Sequence, residues 1–220
     1  MPRNFKEIVD SIHIEKIIFK MAVGPFSASS KNANTFPELK GIYFWFLTED
    51  GLRLFSKNLS SETDLLPNSF LTSKGYLVYI GQAGCRKTNN NKGNLRQRIK
   101  WHINETHKFS SVKSGVLSTL RQTLGALLSD DLLEHNGVET ETIINDFMEQ
   151  YFTIYYISYD GMDSEVVKDV LADEKLLINQ IMPLLNIKGN DNAKKTSLHP
   201  TQQIKMRRNF VRKNTLKRFL

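Results

Sequence analysis

The sequence predicts an α+β domain with a small antiparallel or mixed central β-sheet flanked by helices, in the order β-β-α-α-β-α. Two observations carry this expectation. Residues 41–47 (GIYFWFL), 76–81 (YLVYIG) and 151–159 (YFTIYYISY) are rich in aromatic and β-branched residues and read as strands. Around them apolar residues recur at helical spacing, and polar, turn-rich stretches separate the two kinds of segment.

Taken in order, Phe5, Ile8, Val9, Ile12, Ile17, Ile18 and Met21 repeat at helical spacing and predict an N-terminal amphipathic helix. A Gly/Pro/Ser/Asn stretch follows over residues 24–37. After the first strand, Glu49, Asp50 and Gly51 supply turn chemistry, so LRLF (52–55) reads as a short hairpin strand. Residues 56–74 read as a loop. Beyond the second strand and a Gly/Asn/Lys-rich loop, Asn94 caps a helix expected to reach about residue 107. Helical segments are expected at about 112–128 and 139–149. After the third strand, a helix opens at Asp163 and ends near Ile181, before Pro183. The expected partition is an N-terminal helix and linker (1–40), a central domain (41–186, with 48–74 as an insertion) and a C-terminal tail (187–220).

With 40% hydrophobic and 24% charged residues, the composition is that of an ordinary globular chain. No apolar run approaches the roughly 18 residues that span a bilayer. The N-terminus carries charges where a signal peptide would be apolar. The single cysteine, Cys85, forbids an internal disulfide, and a cytoplasmic location is the expectation. Cys85 itself reads as a small loop residue, not a nucleophile. The net charge of +7 is unevenly placed. Residues 193–220 hold nine Lys/Arg and no acid, which leaves 21 basic against 23 acidic residues elsewhere. Residues 86–113 hold eight Lys/Arg against one Glu. Two separate basic patches point to a polyanion, a nucleic acid, although each alone could be a solvated face. The candidate nucleic-acid contacts are Arg86, Lys87, Lys92, Arg96 and Lys100 in the first patch, and Lys205, Arg207, Arg208 and Arg212 in the second.

Two helices carry anomalies. In the last one, Val167, Val170, Leu171, Leu177, Ile178 and Ile181 form an apolar stripe, and Glu174 falls within it. An acid there is neutralised, bonded to a neighbouring Arg or Tyr, or ligating a cation. The other charges, Asp173 among them, read as lying mostly on other faces. In the helix from Asn94, Leu95, Ile99 and Ile103 form the buried edge, with Arg98 and His102 one turn apart beside it. A guanidinium fork there suits a phosphate. The alternative is a rim arginine covering apolar surface above a surface histidine.

Gly41-Ile42-Tyr43 and Tyr79-Ile80-Gly81 resemble the two tripeptides that name the GIY-YIG nuclease family. Asn94-Leu95-x-x-Arg98 is similar to the family's arginine motif. Glu174 sits on the helix after the third strand, and Asn186 closes a P-x-x-N pattern from Pro183. The resemblance covers residues 41–186. It implies the GIY-YIG fold and hydrolysis of a DNA phosphodiester by in-line attack of water. On that resemblance Tyr43 is the general base, with Tyr79 as second candidate or as a hydrogen-bond partner of the water or phosphate. An ordinary phenol, with a pKa of about 10, needs help from a cation for that task. Arg98 stabilises charge on the phosphate, and Glu174 holds one Mg²⁺, replaceable by Mn²⁺, near the leaving 3′ oxygen. His102 contacts the phosphate or orients a tyrosine, and Asn186 fixes the loop at the edge of the site.

The departure from the family pattern is the long interval between the tripeptides. Insertions in such connections cost little. That layout, with His102 one turn after Arg98, looks most like the family's small stand-alone type II restriction endonucleases, for which a homodimer is one possible assembly. A repair or mobile-element nuclease reading DNA structure is the alternative, and a catalytically silent nucleic-acid-binding protein a further one. The tail repeats apolar residues at helical spacing (Ile204 and Val211, Met206 and Phe210), which predicts a basic helix. That helix either grips DNA backbone or packs on its own domain or a second subunit.

Overall fold

The structure, a computed structural model, describes residues 16, 18–57, 59, 65, 69–85, 93–104, 118–129, 132, 138–161, 164–195 and 199–217. Of the expected N-terminal helix, residues 18–21 are helical and 1–15 and 17 lie outside the described residues. The strands are β1 (Val23–Ser27), β2 (Lys40–Leu47), β3 (Phe70–Thr72), β4 (Gly75–Ala83) and β5 (Phe152–Tyr159). The helices are α1 (Glu49–Lys57), α2 (Leu95–Asn104), α3 (Thr119–Leu128), α4 (Val138–Tyr151), α5 (Ser164–Ile181), α6 (Asp191–Lys195) and α7 (Thr201–Lys217).

The strands form one antiparallel sheet in the order β1-β5-β2-β4-β3. Central β2 is buried at every position because helices cover both faces of the sheet. Ile42, Phe44 and Phe46 face Val170, Leu177, Ile178 and Ile181 of α5. Tyr43, Trp45 and Leu47 face the opposite way, towards Leu95, Ile99 and Ile103 of α2 and the apolar sides of α3 and α4. The pairing of β2 with β4 slips between Trp45 and Phe46, which pair with Tyr79 and Leu77 and leave Val78 as the extra residue. This bulge puts Val78 and Tyr79 on the same face, so Tyr79 joins Tyr43 instead of the Ile80 side.

LRLF is not a hairpin strand; it lies within α1. A period of three wins over a period of two: Leu52 and Phe55 are buried, Leu54 only partly. Thr48 Oγ1 accepts from Gly51 N–H at the start, and Arg53 pairs with Glu49 one turn back. Gly51 is required because a Cβ there would meet Leu47 and Tyr151. The hairpin at this sheet edge is instead β3–β4. The Gly/Pro/Ser/Asn stretch over residues 24–37 opens with edge strand β1.

Helix α7 is the expected basic helix, and its inner face packs on the body. Ile204 and Val211 are fully buried, Val211 against Ala126 and Leu132. Arg207 Nε donates to Ala126 O (3.0 Å), which satisfies an orphan carbonyl at the end of α3. Met206 and Phe210 point outward, 71% and 58% exposed. Among the described residues, no helix is long and apolar enough to cross a membrane.

Candidate active site

Each glycine of the two tripeptides makes room for something. A Cβ on Gly41 would run into Leu95 of α2 and the Ile157 carbonyl, so glycine lets α2 lie close on the sheet. Gly81 pairs with Tyr43 across the strands, and a Cβ on it would collide with the Tyr43 ring. The phenol of Tyr43 therefore lies across Gly81, its ring centroid 6.3 Å from that of Tyr79. Ile42 and Ile80 face the other way, into the core under α5.

Tyr43 and residues 79–82 line a cleft of about 310 Å³. Arg98 from α2, Thr119 from α3, Glu174, Lys175 and Ile178 from α5, and residues 185–189 complete it. Arg98 Nε donates to Tyr43 Oη (3.2 Å), and its guanidinium lies over the Trp101 ring, 4.2 Å from the centroid. Burial works against the Arg98 charge, but Tyr43, Tyr79 and Glu174 outweigh it and hold its pKa above the ordinary value. For Tyr79, burial and then the neighbouring Tyr43 push the phenol pKa far up. Tyr79 therefore keeps its proton.

His102 is fully buried, not on the surface. Its Nε2 lies 2.7 Å from Tyr43 Oη and its Nδ1 2.5 Å from Ser118 Oγ. Asn186 is also buried. Its Oδ1 accepts from Ile80 N–H (2.8 Å) and its Nδ2 donates to Ile80 O (2.7 Å). The amide thus satisfies the β4 edge as a further strand would, between Tyr79 and Gly81. Leu185 N–H, donating to Val78 O, extends the same pairing.

The reading of α5 needs one correction. Its buried acid is Asp173, whose Oδ2 accepts from Tyr159 Oη (2.6 Å). Glu174 is half-buried on the side of the stripe that borders the cleft, and Leu171 is 39% exposed. Of the two acids, Glu174 is the one that lines the cleft. Among the described residues, no group of three or more His, Cys, Asp or Glu gathers to hold a metal. Cys85 is buried, and burial pushes its thiol up to about 11, so it stays protonated and unreactive.

The expected nucleic-acid contacts divide. Arg86, Lys87 and Lys92 lie outside the described residues. Arg96 is committed to structure: Nε donates to Phe36 O (2.8 Å) and Nη1 pairs with Glu38. Lys100 and Lys205 are exposed, Arg208 and Arg212 are half-buried, and Arg207 caps α3. Lys175 and Lys188 at the cleft, and Ser118 and Arg121 behind His102, are not among the residues expected from the sequence. Arg121 is buried and donates from Nη1 to the carbonyls of His102 (3.1 Å) and Ile103 (2.8 Å), closing the end of α2. A signal for Ser118 does exist in the sequence: a serine two residues before Leu120, where an apolar-periodic run begins, is a helix N-cap pattern.

A family model described as the GIY-YIG catalytic domain matches residues 41–210, past Asn186 and well into α7. Among curated proteins and among solved structures, none matches the chain. The family match spans most of the chain and contains both tripeptides, the arginine helix and the glutamate helix, so this chain belongs to the GIY-YIG nuclease family.

Proposed function

We propose that the protein is a Mg²⁺-dependent endonuclease that hydrolyses double-stranded DNA, and more finely that it is a sequence-specific type II restriction enzyme. The observation that carries the chemistry is the Tyr43 hydroxyl, held between Arg98 Nε and His102 Nε2 in a cleft that Glu174 also lines. Tyr43 is the general base for the attacking water, because its hydroxyl lies against the Arg98 guanidinium, which favours the phenolate. Tyr79 acts as a hydrogen-bond donor to water or phosphate. Arg98 stabilises the charge that builds on the phosphate oxygens. His102, shut away from the cleft, orients Tyr43 and does not touch phosphate. Asn186 keeps Tyr79 and Gly81 in place through Ile80.

Among the described residues Glu174 is the carboxylate that lines the cleft with Arg98, and such a site fits Mg²⁺, which keeps most of its waters and takes few protein ligands. Glu174 holds it, and when bound it supplies charge stabilisation to the leaving 3′ oxygen. The placement of His102 one turn after Arg98 supports the restriction reading. Digestion of phage DNA tests it: discrete, reproducible fragments are expected. Cleavage confined to branched or flapped DNA would instead favour a repair or mobile-element role, and cleavage of neither would leave a silent binding protein.

We also assign the outer face of α7 to the DNA backbone. Its exposed cations are Lys205, Lys213 and Lys217. Because Ile204, Val211 and Arg207 support the fold, removing the helix would confound binding with stability. Changing the three lysines to Gln should leave the fold intact. It should flatten the slope of log K against log salt by up to about 0.9 for each phosphate that is no longer neutralised. An unchanged slope would assign this face to assembly, such as a homodimer, instead of to DNA.

A further inference from the structure

We infer that Ser118 is a positioning residue for the proposed reaction, setting His102 against Tyr43 through a buried Ser118–His102–Tyr43 chain. The inference rests on the reading of Tyr43 as the base. Ser118, His102 and Tyr43 come from the start of α3, from α2 and from β2, and all three are fully buried. The separations are 2.5 Å from Ser118 Oγ to Nδ1 and 2.7 Å from Nε2 to Tyr43 Oη. Both are short enough to fix the ring in one plane. Four aromatic rings (Tyr43, Trp45, Tyr79 and Trp101) surround the imidazole and leave it little freedom to turn.

The chemistry asks for a hydroxyl at position 118. A Tyr43 phenolate is stabilised by N–H donors, and Arg98 Nε–H is one of them. The second is a proton on His102 Nε2, which obliges Nδ1 to accept a hydrogen bond when the ring is neutral. If the ring takes the phenol proton onto Nε2, Nδ1 carries a proton too and must donate. A serine hydroxyl serves both states by rotating about its C–O bond; alanine serves neither. Ser118 Oγ meanwhile accepts from Arg121 N–H (3.4 Å), so the residue that starts α3 also ties that helix to the site. Among the described residues, the other charged or titratable groups around this chain include Arg98 on α2, Tyr79 on β4, Arg121 on α3 and Glu174 on α5.

The test is single-turnover cleavage of plasmid DNA with Mg²⁺ as a function of pH. It compares wild type, Ser118→Ala, Ser118→Gly and Ser118→Thr, with thermal melts alongside. Glycine removes the hydroxyl yet is tolerated at a helix start, so it keeps the test valid if alanine unfolds. With the hydroxyl gone, cleavage at neutral pH should fall about tenfold as the acidic limb of the profile rises by about one pH unit. Threonine should bring the profile back towards wild type. In parallel, the imidazole ¹⁵N spectrum of His102 should show Nδ1 leaving its hydrogen-bonded position in Ser118→Gly. An unshifted limb in a folded variant, a loss of rate uniform over all pH values, or an unmoved Nδ1 resonance would overturn the inference. A wild-type protein that cuts no DNA while Nδ1 still responds would sink the nuclease reading instead.

Discussion

Replacing Glu174 with Gln is expected to abolish DNA cleavage, by on the order of 10³-fold or more, while the fold and DNA binding persist. The substitution keeps the shape of the side chain and removes the charge that would hold a cation. Position 174 is half-buried at the cleft, so an amide there stays partly solvated, and Tyr43 and Tyr79 still support the Arg98 charge. Its neighbour supplies the contrast. Asp173 is buried, accepts the Tyr159 hydroxyl and does not line the cleft. Asp173→Asn should therefore cost only about 1 kcal/mol of stability, since the Asn oxygen can still accept the Tyr159 hydroxyl, and leave cleavage largely intact. Cleavage rates, binding curves and melts of the two variants separate the roles. Near-normal cutting by Glu174→Gln would remove Glu174 from the site.

Arg98→Ala is expected to slow cleavage by about 10²–10³-fold, since a donor aimed at developing charge is worth about 2.7–4 kcal/mol. Besides its hold on phosphate, the variant gives up the Nε–H bond to Tyr43. Arg96 lies two positions away, and its guanidinium is engaged with Phe36 O and Glu38, just before β2. Arg96→Ala should accordingly act on stability and leave the cleavage rate of folded protein within a fewfold of wild type. Equal losses in the two variants would refute the assignment of Arg98 over Arg96.

The long periodic segments are legible in the sequence. The strands at 40–47, 75–83 and 152–159 and the helices beginning near 95 and 164 lie within a few residues of their expected places. What misleads is short or mixed. LRLF holds three apolar residues in four, a pattern equally suited to one helical turn and to a strand, and only the burial of Leu52 with Phe55 decides it. Strand β1 contains Gly24 and Pro25 and is largely exposed at its start, so it has no alternating pattern to detect. Asp173 and Glu174 both fall within the apolar sector of α5. Which one is buried depends on where the Tyr159 hydroxyl and the cleft meet the helix, which is tertiary information. His102 stands out in the sequence for its spacing from Arg98. Its depth, and with it the roles of Ser118 and Arg121, follows from how α3 packs behind α2.

Cleavage of a covalently closed plasmid by the purified protein, in Mg²⁺ and again in excess EDTA, bears most directly on the proposed activity. In Mg²⁺ the plasmid should be cut to linear products whose 5′-phosphate and 3′-hydroxyl ends a ligase can reseal, and EDTA should stop the reaction. DNA left intact in both Mg²⁺ and Mn²⁺, or cut equally fast in EDTA, would contradict a metal-dependent endonuclease.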